Sequence, residues 1–460
     1  MTDTCQIRIA RADHDLLMQS VFPGDQDEHG AVLLAGVSHS DARPIFHVRE
    51  VHPAHDGVDY VEGKIGYRAL NPTFIHRLIT RARDERLSYI AVHNHDTDTT
   101  VGFSQIDLDS HERGYPALLQ ISRGMPVGAL VVGHRAAQAD MWTSDGCRYA
   151  LDRMIVVGST VQHLTPAPRN SALATVVEAF DRQVRMFGSM GQERLAECRV
   201  AIVGLGGIGS LVAEYLSRLG VGHFLLIDPD VLEESNLSRV VGAVASDAKQ
   251  RTLKVEVARR TIIQGNRCAQ VRIVADDVAK ESVAKQLTSV DYMFLAADSM
   301  RARLVFNAIV DQYLVPGVQL GSKIRSDLNG TLIDVMSANR PVRPGLGCLW
   351  CNQLIDPTAL AIEAKTDDER KAQAYGVEEP NPSVIALNAI SAAHAVNDFM
   401  LDYLSLREEP ATMHFEHFHF APRVKVARVQ PRRDPNCPEC SPGGRRYGRA
   451  DATSLPSVEG

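Results

Sequence analysis

The segment from Arg199 to Asp228 leaves little choice of local fold. Arg199–Val203 is a short apolar run rich in β-branched residues, the composition of a buried strand. Gly204, Gly206 and Gly209 follow as G-x-G-x-x-G, with Gly207 inside the motif. Leu211, Val212, Tyr215, Leu216 and Leu219 then recur at helical spacing until Gly220, and Phe224–Ile227 is a second apolar strand that ends on Asp228. Strand, glycine turn, helix and strand in this order predict a βαβ unit. Glycines let the backbone approach a phosphate, the helix N-terminus stabilises its charge, and an acid about 20 residues on accepts hydrogen bonds from ribose hydroxyls. The expectation is a dinucleotide or ATP site. The alternative is a glycine turn that binds nothing.

The residues after the unit favour a triphosphate. Asp228-Pro-Asp230 is followed by Asn236-Leu-Ser-Arg239 and then by Lys254, which opens another apolar-periodic helix. Arg forks two phosphate oxygens and Lys is a compact counter-charge, whereas a dehydrogenase needs neither at these positions. Farther on, the apolar strand from Tyr292 runs into Asp298. An acid at the C-terminal end of a strand beside a nucleotide suits Mg²⁺.

Taken together, GLGGIG, the Asp228/Asp230 pair, Asn236–Arg239, Lys254 and Asp298 resemble the ubiquitin-activating superfamily that includes ThiF and MoeB, over roughly Phe180 to Cys440. The resemblance implies a Rossmann-like α/β domain that adenylates the C-terminal Gly-Gly carboxylate of a ubiquitin-like or sulfur-carrier protein with ATP and Mg²⁺. By motif, Asp228 would hold the ribose, Arg239 and Lys254 the phosphates and Asp298 the Mg²⁺. Asp181-Arg182-Gln183 resembles the family's R-Q segment, so Arg182 would serve the partner subunit's ATP in a homodimer. The family often has Asp-Asn at the strand end, and here it is Asp298-Ser299.

The first segment, from Met1 to about Leu164, carries different chemistry. Strands are expected at Cys5–Ala10, Ala31–Val37, Ile45–Val51, Ser88–Val92, Val127–Gly133 and Ala139–Thr143, with a helix ending at Phe22 and an amphipathic one at Pro72–Leu87. The Ser88 strand delivers His93-Asn94-His95, and Ser104-Gln-Ile-Asp107 follows. Residues i and i+2 of a strand point the same way, so two imidazoles converge on one metal, with Asp107 as a third ligand and a fourth position open for water. Glu28, just before the Ala31 strand, is the candidate base for that water. Two histidines and a carboxylate around an open position make a hydrolytic zinc site. The rival reading is two solvated histidines on a loop. His111 and Glu112 are expected on the solvated face of the helix that Asp107 opens.

The pattern of Glu28, a Gly-containing apolar strand, H-x-H and S-x-x-D resembles the JAMM (MPN) metalloproteases. The resemblance implies a mixed α/β zinc peptidase that cuts after ubiquitin-like C-termini. His93, His95 and Asp107 would be ligands, Glu28 the general base and Ser104 a hydrogen-bond donor on the oxyanion side. Asp96 stands where the family has Pro, the spacing from His95 to Ser104 is one residue longer, and the glycine after Glu28 is displaced by one.

Cys348-Leu-Trp-Cys351 and Cys437-Pro-Glu-Cys440 are two C-x-x-C knuckles, which together close a tetrahedron and predict a structural Zn²⁺. Their wide separation makes the site a staple within one domain. A redox dithiol or unrelated buried cysteines are the alternatives. Cys198 and Cys268 are expected to be buried beside strands. No cysteine lies between Ile355 and Asn397, where several members of the resembled superfamily place the one that forms a thioester, so the resemblance implies that the adenylate passes to a sulfur donor or a conjugating enzyme. His414, His417 and His419 lie in MHFEHFHF, which alternates like a strand; they invite a metal reading, but the expectation is a strand with its histidines on an exposed or mixed face. The resemblance implies that the charged stretch 366–373 and the following 376–382 are the loop over the acyl site, and Ser383–Asp402 is expected to be a helix.

A net charge of −7 and the lack of any run long enough to span a membrane argue against nucleic-acid or membrane partners. The N-terminus lacks a signal-peptide pattern, so a cytoplasmic protein is expected. The expected domains are 1–164, a peptidase domain; 165–445, an adenylation domain entered through a linker at 160–172 and a helix at Ala172–Phe187; and 446–460, a disordered tail. The expected function is bifunctional within a bacterial-type ubiquitin-like pathway: adenylation of the terminal glycine and processing of the same tail. Its rivals are a sulfur-carrier activator whose first domain only binds the partner, and an oxidoreductase, which would leave Arg239, Lys254 and both cysteine pairs unexplained.

Overall fold

A computed structural model of the 460-residue chain describes residues 3–25, 27–40, 43–61, 69–168, 178–327, 329, 331–365, 382–408 and 413–458. The chain forms two units: Met1–Asn170 with Asp311–Leu314 and Pro438–Ser454, and Ser171–Val310 with Val315–Cys437 and Leu455–Gly460.

In the first unit the elements run β1 (Thr4–Ala10), α1 (Arg11–Val21), β2 (Gly30–Ser40), β3 (Arg43–Pro53), α2 (Pro72–Glu85), β4 (Ser88–Asn94), α3 (Gln105–Ile121), β5 (Val127–Val132), β6 (Ala137–Trp142), β7 (Arg148–Val157) and β8 (Val161–Leu164). Strand order is β1-β3-β2-β4-β5-β6-β7-β8, and β1 also pairs parallel with β7. Seven strands thus close into a ring, with β8 attached outside it. β8 falls where a linker is expected at 160–172, and the rest of that stretch from 169 lies outside the described residues. Alternation sends Leu33, Phe46, Ile90 and Leu130 to one apolar cluster, and Val32, Leu34 and Tyr89 to another with Phe74, Leu78 and Ile79 of α2. Both faces are covered, which is why β2 reads as an unbroken apolar run. Asn71 caps α2 through Thr73 N (2.8 Å), with Pro72 in its first turn.

His111 is not solvated. It is buried, its Nδ1 lies 2.8 Å from Asp140 Oδ2, and its ring stacks on Tyr115; Glu112 alone faces solvent. Asp140, on β6, also accepts hydrogen bonds from Trp142 and Arg148. A partner 29 residues away is invisible to helical periodicity. Burial pushes the Asp140 carboxyl up, but hydrogen bonds from His111, Arg148 and Trp142 outweigh it and hold its pKa at about 2. A carboxyl depressed by folding adds stability above its unfolded value, near about 4, and loses it as pH falls towards the folded one. Asp140→Asn is expected to cost about 2 kcal/mol at neutral pH, below the usual cost of breaking a buried pair because Arg148 is 38% exposed. Thermal melts should show the wild type losing this advantage as pH falls from about 4 to about 2.

Residues 446–458 do not form the disordered tail expected from their Gly, Arg, Ser and Pro content. Arg446, Tyr447 and Ala450 are buried. Tyr447 donates to Asp13 Oδ2 (2.5 Å), Arg449 to Glu85 (2.8 Å) and Arg446 to Gln312 (2.8 Å). Gly36 donates to Gly448 O at 3.1 Å, and a side chain at Gly36 would meet that oxygen at 2.5 Å. Order here comes from partners distant in sequence.

The second unit contains α4 (Asp181–Glu197), β9 (Arg199–Val203), α5 (Gly207–Leu219), β10 (His223–Ile227), α6 (Ala245–Gln250), α7 (Lys254–Gly265), β11 (Gln270–Val274), α8 (Glu281–Ala284), β12 (Tyr292–Leu295), α9 (Met300–Gln312), β13 (Gly317–Ser326), β14 (Leu332–Val342), α10 (Pro357–Glu363), α11 (Ile385–Tyr403), β15 (Phe415–Ala421) and β16 (Lys425–Val429). Strand order is β11-β10-β9-β12-β13-β14-β15-β16, parallel as far as β13 and antiparallel beyond it. The order reverses between β9 and β12, so a crevice opens at the end of β9, where this class of sheet binds ligands. The entering helix runs over 181–197 with a kink at Gly188 (φ 75°), later than the expected Ala172–Phe187, of which 172–177 lie outside the described residues. α11 packs on α5, β13 and β14, which explains its apolar face. Among the described residues, no helix is long and apolar enough to cross a membrane.

Candidate nucleotide and metal sites

The glycine turn sits at the switch point, between β9 and α5. Gly204 has φ +88°, and a side chain there would lie 2.6 Å from Ala297 N. A side chain at Gly209 would lie 1.8 Å from Gly204 O. Both positions therefore exclude a Cβ. At Gly207 a Cβ would stand 2.3 Å from Asn388 Nδ2 and 3.4 Å from Arg239 Cδ. Arg239 thus lies beside the turn, its guanidinium donating to Ser235 O (2.7 Å). Buried Asn236 caps the short turn that carries Arg239, accepting from Glu233 N (3.1 Å).

Asp228 directly follows β10 and ties the turn to it. Its carboxylate accepts from Leu205 N (2.5 Å) and Asp230 N (2.9 Å), and burial raises its pKa despite these bonds. Lys254 Nζ lies 2.7 Å from Asp230 Oδ2 at the start of α7. Ala296 N donates to Val203 O (2.8 Å), so the segment after β12 lies along the turn and delivers Asp298, which is exposed. β12 stops three residues before Asp298 rather than running into it. Arg182 is exposed on the first turn of α4, and its neighbour Gln183 donates to Leu219 O (3.0 Å) at the end of α5.

Two contributors escaped the sequence. Asn388, on α11, reaches the turn at Gly207 and also touches Ser322 (2.9 Å) and Ser383 (3.0 Å). Glu363 accepts from Met300 N (2.8 Å) and Arg301 N (2.9 Å), capping α9 just after Asp298. Neither belongs to a local motif. The stretch 366–373 and most of 376–382 lie outside the described residues.

The four cysteines converge. The sulfurs of Cys348, Cys351, Cys437 and Cys440 lie within 4.8 Å of one another. Cys348 Sγ is 3.7 Å from Cys351 Sγ and 3.8 Å from Cys437 Sγ. A Zn–S bond of about 2.3 Å gives tetrahedral edges of about 3.8 Å, so this donor set fits zinc. Cys198 is buried as expected, but Cys268 is exposed, because it lies in the turn before β11 rather than within the strand.

In the first unit, ligand atoms of His93, His95 and Asp107 also lie within 4.8 Å of one another. His93 is the last residue but one of β4 and His95 follows the strand; their rings are 5.0 Å apart. His93 Nε2 is buried without a hydrogen-bond partner, 3.6 Å from Asp107 Oδ2. An orphaned imidazole nitrogen beside an aspartate fits a cation. Glu28 Oε1 is 3.8 Å from His95 Nε2. Ser104 is the N-cap of α3, and its Oγ and N donate to Asp107 Oδ2 at 2.7 and 2.8 Å. Its hydroxyl is therefore engaged in holding Asp107, a use not foreseen in the oxyanion role. Burial raises the Asp107 pKa, but the His93 ring and the Ser104 bonds outweigh it and hold the carboxyl well below its usual range. Asn94 also does more than space the histidines. Its Oδ1 accepts from His29 N (2.6 Å), fixing the backbone next to Glu28.

The sequence profile of the ThiF family matches residues 180–439, more than half of the chain. The chain is 26% identical over 254 residues to the tRNA threonylcarbamoyladenosine dehydratase of Escherichia coli K12, covering 48% of this chain and 94% of that protein. It is 34% identical over 138 residues to the SAMP-activating enzyme E1 of Haloferax volcanii, covering 30% of this chain and 50% of that protein. With the sulfur carrier protein ThiS adenylyltransferase of Bacillus subtilis it shares 33% identity over 184 residues, 39% of this chain and 50% of that one. The chain spans about half the length of the latter two.

Proposed function

The chain belongs to the ThiF family, and from that premise we propose that its second unit adenylates the C-terminal carboxylate of a small ubiquitin-like or sulfur-carrier protein at the expense of ATP. The observation that carries this reading is the glycine turn with Arg239 beside it and Asp298 delivered to it by the segment after β12. Backbone N–H groups at the start of α5 would receive phosphate oxygens, and Arg239 and Lys254 would add positive charge. Asp228 would hold the ribose while keeping the turn in place, and Asp230 would position Lys254. Asp298 would hold Mg²⁺, whose chemistry is to neutralise charge on the phosphates. Arg182 would act on the partner subunit's nucleotide in a homodimer. One of the relatives is named for activating SAMP, one for adenylating the sulfur carrier protein ThiS and one as a tRNA threonylcarbamoyladenosine dehydratase. Family alone thus leaves the carboxylate open.

The metal-competent group of the first unit supports a choice among them. We propose that it is a JAMM-like zinc peptidase acting on the same Gly-Gly tail. His93, His95 and Asp107 would hold zinc, and Glu28 would take a proton from the attacking water and pass it to the leaving amine. Zinc in such a site lowers the pKa of water and polarises the scissile carbonyl. Ser104 would keep Asp107 in place. The orphaned His93 Nε2 and the nearby Glu28 support this reading. Processing and activation act on one flexible tail, so their fusion is chemically economical. The four cysteines would hold a structural zinc.

Zinc analysis of exhaustively dialysed protein tests the metal part. Two tightly held ions per wild-type chain are expected, falling to one in Asp107→Ala. One ion in both proteins would leave the first unit as a docking module.

A further inference from the structure

From β14 outward the two faces of the second unit's sheet carry different chemistry. On one face Asn339 meets α11. Its Nδ2 donates to His394 Nδ1 (2.8 Å) and Asp398 Oδ2 (3.0 Å), and Glu416 Oε2 lies 2.8 Å from His394 Nε2. That group is satisfied within itself. Successive strand residues point to opposite faces, so Arg340 faces away from α11. There it stands beside its register partner, Gln319 of β13, and near His417 of β15, which is paired with Ala338.

The surroundings of Arg340 leave its charge unanswered. Its Nη1 donates to Gln319 Oε1 (2.6 Å) and its Nε to His417 Nε2 (3.1 Å). Both acceptors are neutral: burial, then Arg340 and His419, lower the His417 pKa to about 4. No carboxylate among the described residues pairs with Arg340. Its charged neighbour is instead a second guanidinium, that of Arg303 on the first turn of α9, and burial together with that neighbour lowers the Arg340 pKa to about 10. Arg303 Nη1 donates to Leu354 O (2.8 Å), but its Nε is buried without an acceptor. The acids that offset the Arg303 charge are Asp298 and Glu363, and Glu363 already caps α9. A half-buried guanidinium with neutral partners and a like charge beside it is costly unless an anion joins it.

Position narrows the anion. Gln319 is paired with Leu295, the last residue of β12, so Arg340 lies beside the strand end that leads to Asp298. The glycine turn follows β9, on the other side of β12, and β14 is three strands away from β9. At about 4.8 Å per strand that is about 14 Å, too far for Arg340 to share phosphates held at the turn. We propose that Arg340, with Arg303 beside it, is a binding position for a side-chain carboxylate on the C-terminal tail of the carrier protein. A guanidinium receives a carboxylate through two parallel hydrogen bonds. An extended tail advances about 3.3 Å per residue, so with the terminal glycine at the turn the acid stands about four residues before it. The ligand is thus a tail with an acid, a short spacer and Gly-Gly. That the ligand is a carrier tail rests on the adenylation reading; the anion site rests on the residues just described.

The test uses full-length protein, Mg²⁺ and an ATP analogue that cannot be cleaved between its α- and β-phosphates. Short fluorescein-labelled peptides ending in Gly-Gly are bound and followed by anisotropy, without turnover. Glu is placed in turn at each of the four residues preceding Gly-Gly, against a matching Gln peptide. One register is expected to bind with a sub-millimolar dissociation constant, at least about tenfold more tightly than its Gln counterpart. Arg340→Gln should erase that preference, and Arg340→Lys, which keeps the charge but not the fork, should restore part of it. Thermal melts show whether each variant is folded; if one is not, the wild-type series still decides. Equal or undetectable binding of every Glu and Gln pair by the wild type overturns the proposal. So does a preference that survives in folded Arg340→Gln. An equal loss of Glu and Gln peptides in that variant would assign the guanidinium to the terminal carboxylate, and it overturns the proposal too. A Glu preference that depends on Arg340 in a protein unable to exchange pyrophosphate into ATP would support the anion site and sink the adenylation reading.

Discussion

Alanine at Asp298 is expected to abolish ATP–pyrophosphate exchange while the protein remains folded. Asp298 is exposed, so its removal costs the fold little. Its expected work arises when Mg²⁺ and ATP bind. Arg239→Ala should behave alike, because the side chain passes Gly207 at Cδ and, among the described residues, its guanidinium donates to Ser235 O alone. Removing one preorganised charge from a phosphoryl-type site typically costs about 100- to 1000-fold. The measurement is exchange of labelled pyrophosphate into ATP with a carrier protein ending in Gly-Gly, alongside melts that stay within about 0.5 kcal/mol of wild type. Exchange that persists in both variants would sink the assignment of this turn.

Glu28→Ala is expected to do the reverse. Cleavage of a peptide placed after a Gly-Gly tail should fall about 100- to 10,000-fold, the usual contribution of a positioned base, while exchange and both zinc ions are retained. Asp107→Ala should lose cleavage together with one zinc, which separates base from ligand. A single substitution that removes both activities in a folded protein would be incompatible with two sites.

The parts legible in the sequence are those whose chemistry is local. Gly204 to Asp228 announced strand, turn, helix and strand because each step is dictated within a few residues, and the two C-x-x-C knuckles announced their meeting because each pair is complete in four. His93, His95 and Asp107 came together for the same reason: one strand end and one helix cap place all three. What stayed hidden depends on pairings across the fold. Asn388 approaches Gly207 from a helix more than 150 residues later. His111 looked solvated until Asp140 was placed opposite it. Ser104 carried a motif whose first use proved to be capping α3 and holding Asp107. His394 has no motif, since two of its partners, Asn339 and Glu416, reach it from β14 and β15.

The first unit is assembled from residues 1–170, 311–314 and 438–454, and this has a consequence for its manufacture. A ribosome releases all seven strands of the ring long before Tyr447 and Arg449 emerge to meet Asp13, Gly36 and Glu85. Until then, the surface around Gly36 and Arg49, which also donates to Tyr447 O, has no cover. The unit therefore matures late, after nearly the whole of its neighbour has been synthesised. A gene fragment cut at residue 170 would encode a ring with that surface bare, prone to hold chaperones or to aggregate, and a premature stop just after Cys440 would damage the first-made part of the protein.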